Sequence, residues 1–363
     1  MSKIPSGLFI ACALAASGGQ ASAQSSVVIG GTLDAFVGSR QLSGAVRTTR
    51  VDSGGLTTSQ LNFSGTEDLG SGLKAEFVLG MFLRLDAGEP GRFAGDAFYG
   101  RSSYVGLAGP AGTLRLGRQT TGHFLNFIRT NAFADSATFG PAMLHTWLSA
   151  IGQGPQFLSG GPPAANRSLT GVLGTTDTAW NNALGYTSPN LAGFTFNAQW
   201  APSESAGVGS RKGLSVFYAS GPLSAGLATE QMGHATVPAS GPAAAVLARQ
   251  ATWDLTAAYA FPFARLSAGT IATRRDFTAI VDDKVRTVHM GASVPVGAGA
   301  VLVQVASSRQ TPDSGAATRR TTASVAYDHY LSKRTDLYAV AMSDKFSGRG
   351  NGHSLALGVR HRF

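Results

Sequence analysis

The sequence predicts an all-β chain, a 16-stranded antiparallel transmembrane β-barrel with a long third loop folded into the lumen. Three observations predict it. Apolar and polar residues alternate with a period of two from one end of the chain to the other. Short turn motifs and longer connections follow one another in strict alternation, as in an up-and-down barrel. The composition suits neither a soluble globule nor a bundle of membrane helices: charged residues are 13%, against about 25% in soluble proteins, yet mean hydropathy is only +0.06.

At the N-terminus, residues 1–23 read as a cleaved secretory signal peptide. Lys3 supplies the positive start, Gly7 to Ala16 the apolar stretch, and Ala21-Ser22-Ala23 the cleavage site. Cys12, the single cysteine, leaves with it; lipid attachment there is the weaker reading, because Phe9 stands where a small aliphatic is preferred. The barrel then comprises residues 24–363, with no thiol for a disulfide or a cysteine metal site. The formal charge of +9 falls to +8 without Lys3. No segment beyond the signal approaches the run of about 18 apolar residues that a spanning helix needs.

The strands follow in order. Leu61 and Phe63 oppose Gln60, Asn62 and Ser64. In LKAEFVLGMFLRL (73–85), Leu73, Ala75, Phe77, Leu79, Met81 and Leu83 form one face and Lys74, Glu76, Val78, Gly80, Phe82 and Arg84 the other. Val301, Val303 and Val305 oppose Gln304, Ala306 and Ser308. In the closing SLALGVRHRF (354–363), Leu355, Leu357, Val359 and Phe363 oppose Ala356, Gly358, Arg360 and Arg362. Tight turns are predicted at 67–72, 109–112, 188–190, 220–222, 261–263, 295–297 and 331–334. Longer connections are predicted near 40–55, 86–97, 203–210, 233–249, 275–282, 311–317 and 346–350. With the stretch 119–179 these make seven turns and eight loops, hence sixteen strands. Trp180, Trp200, Tyr186, Tyr259 and Tyr338 lie near strand ends and fit an aromatic belt. The stretch 119–179 carries Phe124, Phe127, Phe133, Phe139, Trp147 and Phe157, too apolar for a solvated tail. It needs a surface to pack on, and the lumen offers one.

Several stretches then show a family likeness: SGTEDLGSGLKAEF (64–77), YGRSSYVGLAGPAGTLRLGRQT (99–120), GYTSPNLAGFTF (185–196), YASGPLSAGLA (218–228), YDHYLSKRTDLYAV (327–340) and GVRHRF (358–363). In their order and spacing the chain resembles the Gram-negative general porins of the β-proteobacterial trimeric type, over essentially its whole mature length. The resemblance implies a homotrimer in the cell outer membrane, with the loop after the fifth strand narrowing the lumen to an eyelet. Acidic groups of that loop would face a ladder of basic residues on the wall. It also implies that the 86–97 loop, with Glu89 and Asp96, latches onto a neighbour, and that Phe363 is recognised by the barrel-insertion machinery.

Parity places Lys74, Glu76, Arg84 and Arg115 in the pore, with Arg360 and Arg362 near its mouth. Arg101 and Arg118 are carried over from the resemblance through their matching GR and GRQ contexts. Parity puts Arg118 on the face of Leu114 and Leu116 and leaves Arg101 undecided between Val105 and Tyr104. The long loop adds Arg129 and Asp135 to the expected constriction, with His123, His145 and Arg167 as further titratable groups. The family's pattern is incomplete here: Ser59-Gln60-Leu61-Asn62-Phe63-Ser64-Gly65 stands where S-R-L-G-F-K-G is common. Gly185 and Thr187 replace an Arg and an Asp around Tyr186. The expected function is passive transport of small hydrophilic solutes and ions through a water-filled outer-membrane channel, with weak anion preference. The alternative is a solute-specific channel whose binding site is built by loop 119–179. No cofactor, metal, nucleic acid or catalysis is expected: the histidines are isolated, basic residues form no cluster, and no nucleophile elbow, Walker loop or zincin motif occurs.

Overall fold

A computed structural model describes residues 26–92, 96–147, 178–204, 209–233, 235–237, 245–278 and 281–363, so the signal at 1–23 lies outside the described residues. The first half contains β1 (Ser26–Arg40), β2 (Thr48–Ser53), β3 (Gln60–Gly70), β4 (Leu73–Arg84), β5 (Glu89–Pro90), β6 (Ser102–Gly109) and β7 (Gly112–Thr120). Helices α1 (Gly122–Thr130) and α2 (Pro141–Thr146) come next, then β8 (Ala179–Thr187), β9 (Phe194–Ala201), β10 (Arg211–Ser220) and β11 (Leu223–Met232). The chain continues through β12 (Ala235–Val237), β13 (Ala245–Ala260), β14 (Arg265–Phe277) and β15 (Asp283–Val296). It closes with β16 (Gly299–Pro312), β17 (Thr318–Tyr330), β18 (Thr335–Phe346) and β19 (Gly352–Arg362).

Sixteen of these strands form a closed antiparallel wall. Each pairs with its neighbour in the chain, and β19 pairs with β1 from Thr32↔Arg362 to Ser39↔Leu355, which leaves no open edge. The other three, β2, β5 and β12, are short additions within loops, paired with β1, β4 and β13. The turns fall where predicted. That between β3 and β4 uses positive φ at Gly70, Ser71 and Gly72, a conformation glycine reaches without cost.

The period of two is carried into three dimensions. Outward apolar side chains stay exposed, including Leu214 (62%), Met290 (63%), Leu355 (62%) and Leu357 (61%), as a lipid-facing wall requires. Inward positions follow from register. Asp34 and Phe36 point in and are buried; Thr32↔Gln60 and Gly30↔Asn62 carry that face to β3, and Asn62↔Gly80 and Thr66↔Glu76 to β4. Glu76↔Gly106 and Gly106↔Arg115 carry it on to β6 and β7. Two expected belt residues prove to face inward. Tyr338 is 3% exposed and its hydroxyl donates to Asp34. Trp180 is 1% exposed, because an extra residue at Asn182 (φ +56°) shifts the β7–β8 register and reverses parity below it. Trp200, Tyr186 and Tyr259 do lie outward and exposed.

The stretch predicted to enter the lumen does so over its described part. Thr121 caps α1 by accepting from the Phe124 N–H, and Pro141 opens α2. Phe133, Phe139 and Leu144 pack with Phe36, Val340 and Met342 of the inner wall, while Phe127 and Trp147 pack with Ile271 and Ala306. Interiors of this kind are held by apolar burial at roughly 25 cal/mol per Å². Residues 148–177 lie outside the described residues.

Candidate functional site

The path of residues 121–147 is fixed by polar contacts with successive strands. The Gly122 N–H donates to Gln199 on β9 at 3.2 Å, and the Asn126 amide donates to the Val216 and Leu227 carbonyls on β10 and β11. His123 is bonded to Asp254 on β13. The Ala142 N–H donates to Gln304 at 3.1 Å, and both ring nitrogens of His145 lie 2.7 Å from hydroxyls, those of Ser308 and Thr322. The Ser324 hydroxyl donates to the Phe139 carbonyl, and Arg320, paired with Asp344 at 2.8 Å, also reaches the Leu144 carbonyl. The segment therefore lines the inner wall from β9 round to β18. It leaves the arc of β3, β4, β6 and β7 as the opposite bank of the channel.

Its tip is held by a device absent from the sequence reading. Between β2 and β3 the chain leaves the wall and turns inward over residues 54–59. The Asp34 carboxylate captures it, accepting the N–H groups of Gly55 at 3.0 Å and of Leu56 and Thr57 at 2.9 Å. The tip docks on this excursion: Ser136 donates to the Gly55 carbonyl at 2.6 Å, Thr138 to the Gly54 carbonyl at 2.7 Å, and Thr57 to the Asp135 carboxylate at 2.5 Å. Asp34 was legible as a lone acid at inward parity in GGTLDAFVG; the docking hydroxyls were not, because serine and threonine in a loop carry no partner signal.

The predicted pore residues fall at five places. Near the turn end of the bank, Arg115 donates to Glu76 at 2.6 Å and stacks its guanidinium over Tyr104, with Lys74 exposed one inward step away. At the level of the loop tip, Arg101 reaches over Gly80 to donate to Asn62 at 3.1 Å. Any Cβ on Gly80 would stand 2.6 Å from Asn62 Oδ1 and 3.4 Å from Arg101 Cβ, so the glycine opens this crossing. At the loop end, Arg84 pairs with Glu89, and Arg118 donates to the Gly100 carbonyl at 2.6 Å and to Asn181 at 2.7 Å. On the loop itself, Arg129 is exposed over the Phe217 ring, 4.8 Å from its centroid, while Asp135 sits at the docked tip. Arg360 and Arg362 are tied to Asp336, and Arg360 also to Asp328. Structure thus gathers Arg101 and Asp135 at one level and keeps Lys74, Glu76 and Arg115 below them.

Electrostatics of the loop follow from burial. The Asp135 carboxyl is pushed above its ordinary range by burial, against the pull of the Thr57 hydroxyl, Arg101 and Arg360. Burial likewise holds the His145 imidazole well below its usual value, aided by Arg320. For His123 burial acts downward, but Asp254 and Glu230 outweigh it and raise the imidazole to about 8. Among the described residues no group of three His, Cys, Asp or Glu side chains could hold a metal ion.

Comparison with known proteins supplies the context. Residues 10–349 match the family model for Gram-negative porin. The chain is 32% identical over 339 residues to outer membrane porin protein 32 of Delftia acidovorans, covering 91% of this chain and 86% of that protein. An outer membrane porin protein of Bordetella pertussis is 25% identical, over 98% of this chain and 99% of its own length. Among solved structures, an anion-selective porin from Comamonas acidovorans superposes with a TM-score of 0.73 at 28% identity, covering 94% of this chain and all of that one. A trimer form of OmpT from Vibrio cholerae gives 0.68 at 13% identity, over 93% of this chain and 99% of that one.

Proposed function

The chain belongs to the Gram-negative porin family, and we propose that within that family it is a general diffusion channel with a weak preference for anions. As a porin it conducts passively through the outer membrane. One observation carries the anion preference: the charges that face each other at the loop tip are unequally available. Arg101 is hydrogen-bonded to a neutral amide and keeps its charge, whereas Asp135, half-buried and bonded to Thr57, is shifted toward its neutral form. A fixed charge at a partly desolvated constriction acts several-fold more strongly than in bulk water. The preference is weak because Gln60, Asn62, Ser64 and Thr187 line the bank with neutral groups and Arg115 is cancelled by Glu76. The anion-selective relative from Comamonas supports the sign.

The test is the reversal potential of single channels in a KCl gradient. Chloride should permeate more readily than potassium, and Arg101→Ser should bring the ratio toward unity. A cation-preferring channel would refute the sign, and conductance that saturates with one solute would favour a binding site in the 119–179 loop instead.

We extend to this chain the trimer form recorded for the Vibrio relative. Glu89 and Asp96, the expected latch, are engaged within the chain by Arg84 and Arg92. The trimer should therefore survive Glu89→Gln, with three copies by native mass spectrometry.

A further inference from the structure

We propose that helix α1 is a movable shutter of the channel, held against the wall by His123 clamped between Asp254 and Glu230, and that its release narrows the bore. The two halves of the docked segment meet different walls. Beneath residues 131–147, Gln304, Ser308, Thr322 and Ser324 each bond to the segment, and none of these side chains is left without a partner. Beneath α1 the opposite holds. Glu230 Oε1, Asp254 Oδ1, Thr256 Oγ1 and both ring nitrogens of His289 are buried with no hydrogen bond among the described residues. None of these four residues, on β11, β13 and β15, is more than 8% exposed.

Register gathers them into one patch. Gly226, Thr256, Gly269 and His289 are successive cross-strand neighbours. Asp254 stands one inward step toward the loops from Thr256, and Glu230, opposite Thr252, one step further. A Cβ on Gly269 would lie 2.5 Å from His289 Nε2 and 2.8 Å from Thr256 Cγ2, so the imidazole leans across the glycine toward β13. Helix α1 covers the patch, with Asn126 over Gly226 and the Phe127 ring 5.7 Å from that of His289. A buried donor or acceptor without a partner costs free energy that water would restore. A helix seated on five such atoms is poised between two positions. Phe124, Phe127 and Trp147 hold it to Ile271 and Ala306, while solvation of the wall pulls the other way. The strands block movement outward, so release carries α1 toward the channel axis. The tip, bonded separately to the Gly54 and Gly55 carbonyls, stays behind.

The clamp decides between the positions. His123 bonds to Asp254, and the hydroxyl of the cap residue Thr121 bonds to Glu230. Those two carboxylates are the charges that act on the imidazole. Strands β9 and β10 bring the neutral Gln199 and Ser215 to this end of the helix, and the Trp147 ring lies 4.9 Å from that of His123. Protonated, the imidazole ties α1 to two strands by charge; neutral, it keeps a hydrogen bond alone. Against burial, the two acids raise it from 6.5 to about 8. The clamp is therefore fully present below about pH 6.5 and is lost as pH rises through 8. Between those limits the ratio of docked to released helix should fall about 30-fold.

Single channels of the full-length protein in phosphatidylcholine bilayers, recorded from pH 6 to 9.5, provide the test. Time spent at a reduced conductance level, relative to the full level, should rise about 30-fold across that range. His123→Gln should make the ratio independent of pH. Asn126→Cys/Gly226→Cys ties the helix to β11 by a disulfide. A Cβ on Gly226 stands 2.7 Å from that of Asn126, and a shift of about 1 Å reaches the usual spacing. Beyond Cys12 the chain has no other cysteine to interfere. Oxidised, this variant should stay at the full level at every pH; reduced, it should regain the pH dependence. Occupancy that ignores pH in the natural protein would overturn the shutter. So would a pH dependence that survives in His123→Gln or in the oxidised tether. The anion preference is read separately, from reversal potentials at the full level, so either reading can fail without the other.

Discussion

The Asp34 carboxylate accepts three backbone N–H groups from residues 55–57 and the hydroxyl of Tyr338. Hydrogen bonds to a charged acceptor contribute about 1.5–3 kcal/mol each, and unpaired buried donors cost a similar amount. Asp34→Ala should therefore lower the stability of the folded barrel by about 3 kcal/mol in urea titration, and noise in the open channel should rise as the tip loosens. His123 gives a pH signature. Its imidazole is raised to about 8 in the folded state by Asp254 and Glu230 against burial. That stabilisation, about 2 kcal/mol, is fully present below about pH 6.5 and is lost as pH rises through 8. Between those limits stability should fall in the natural protein and stay flat in His123→Gln. Asp135 has the same sign: its raised carboxyl makes docking of the tip more favourable as pH falls toward the ordinary carboxylate range. Asp135→Asn keeps an acceptor for Thr57, so it should dock as well as the acid at neutral pH or better, while increasing anion preference in the reversal potential.

At the scale of elements, the channel is shaped by two segments that leave the wall and meet inside it. Residues 121–147 supply the apolar mass, and the 54–59 excursion supplies the ledge on which the tip rests. The Ser136 and Thr138 bonds to that ledge contribute about 1 kcal/mol each. Ser136→Ala/Thr138→Ala should leave the barrel folded but raise the frequency of conductance fluctuations recorded in planar bilayers. Much of this was legible in the sequence. Six aromatic residues in a stretch of sixty demanded a surface, and the lumen was the one available. The ledge was not legible, because Gly54-Gly55 reads as the end of a surface loop and only Asp34, opposite in space, turns it inward. Arg101 was undecided for a related reason: its strand begins one residue later, so the glycine at position 80 and not parity decides where it reaches.

For the molecule as a whole, the alternation of turns and loops was enough to give the strand number, and the period of two gave each strand its faces, since a one-residue slip in any strand would turn its apolar face into the water. It failed where the ladder itself is irregular. The extra residue at Asn182 reversed Trp180, and Tyr338 was read as a belt residue from its type although its neighbours Asp336 and Asp344 share its inward face. The clamp on His123 passed unnoticed in the sequence for a third reason: Glu230 and Asp254 are remote from it in the chain and become its neighbours only when α1 docks. At this scale the central claim is that a segment docked in the lumen sets the bore. Single-channel conductance of the natural protein against a variant lacking residues 130–165 tests it most directly. The account predicts a several-fold larger and less selective channel in the deletion; equal conductance and equal reversal potential would contradict it.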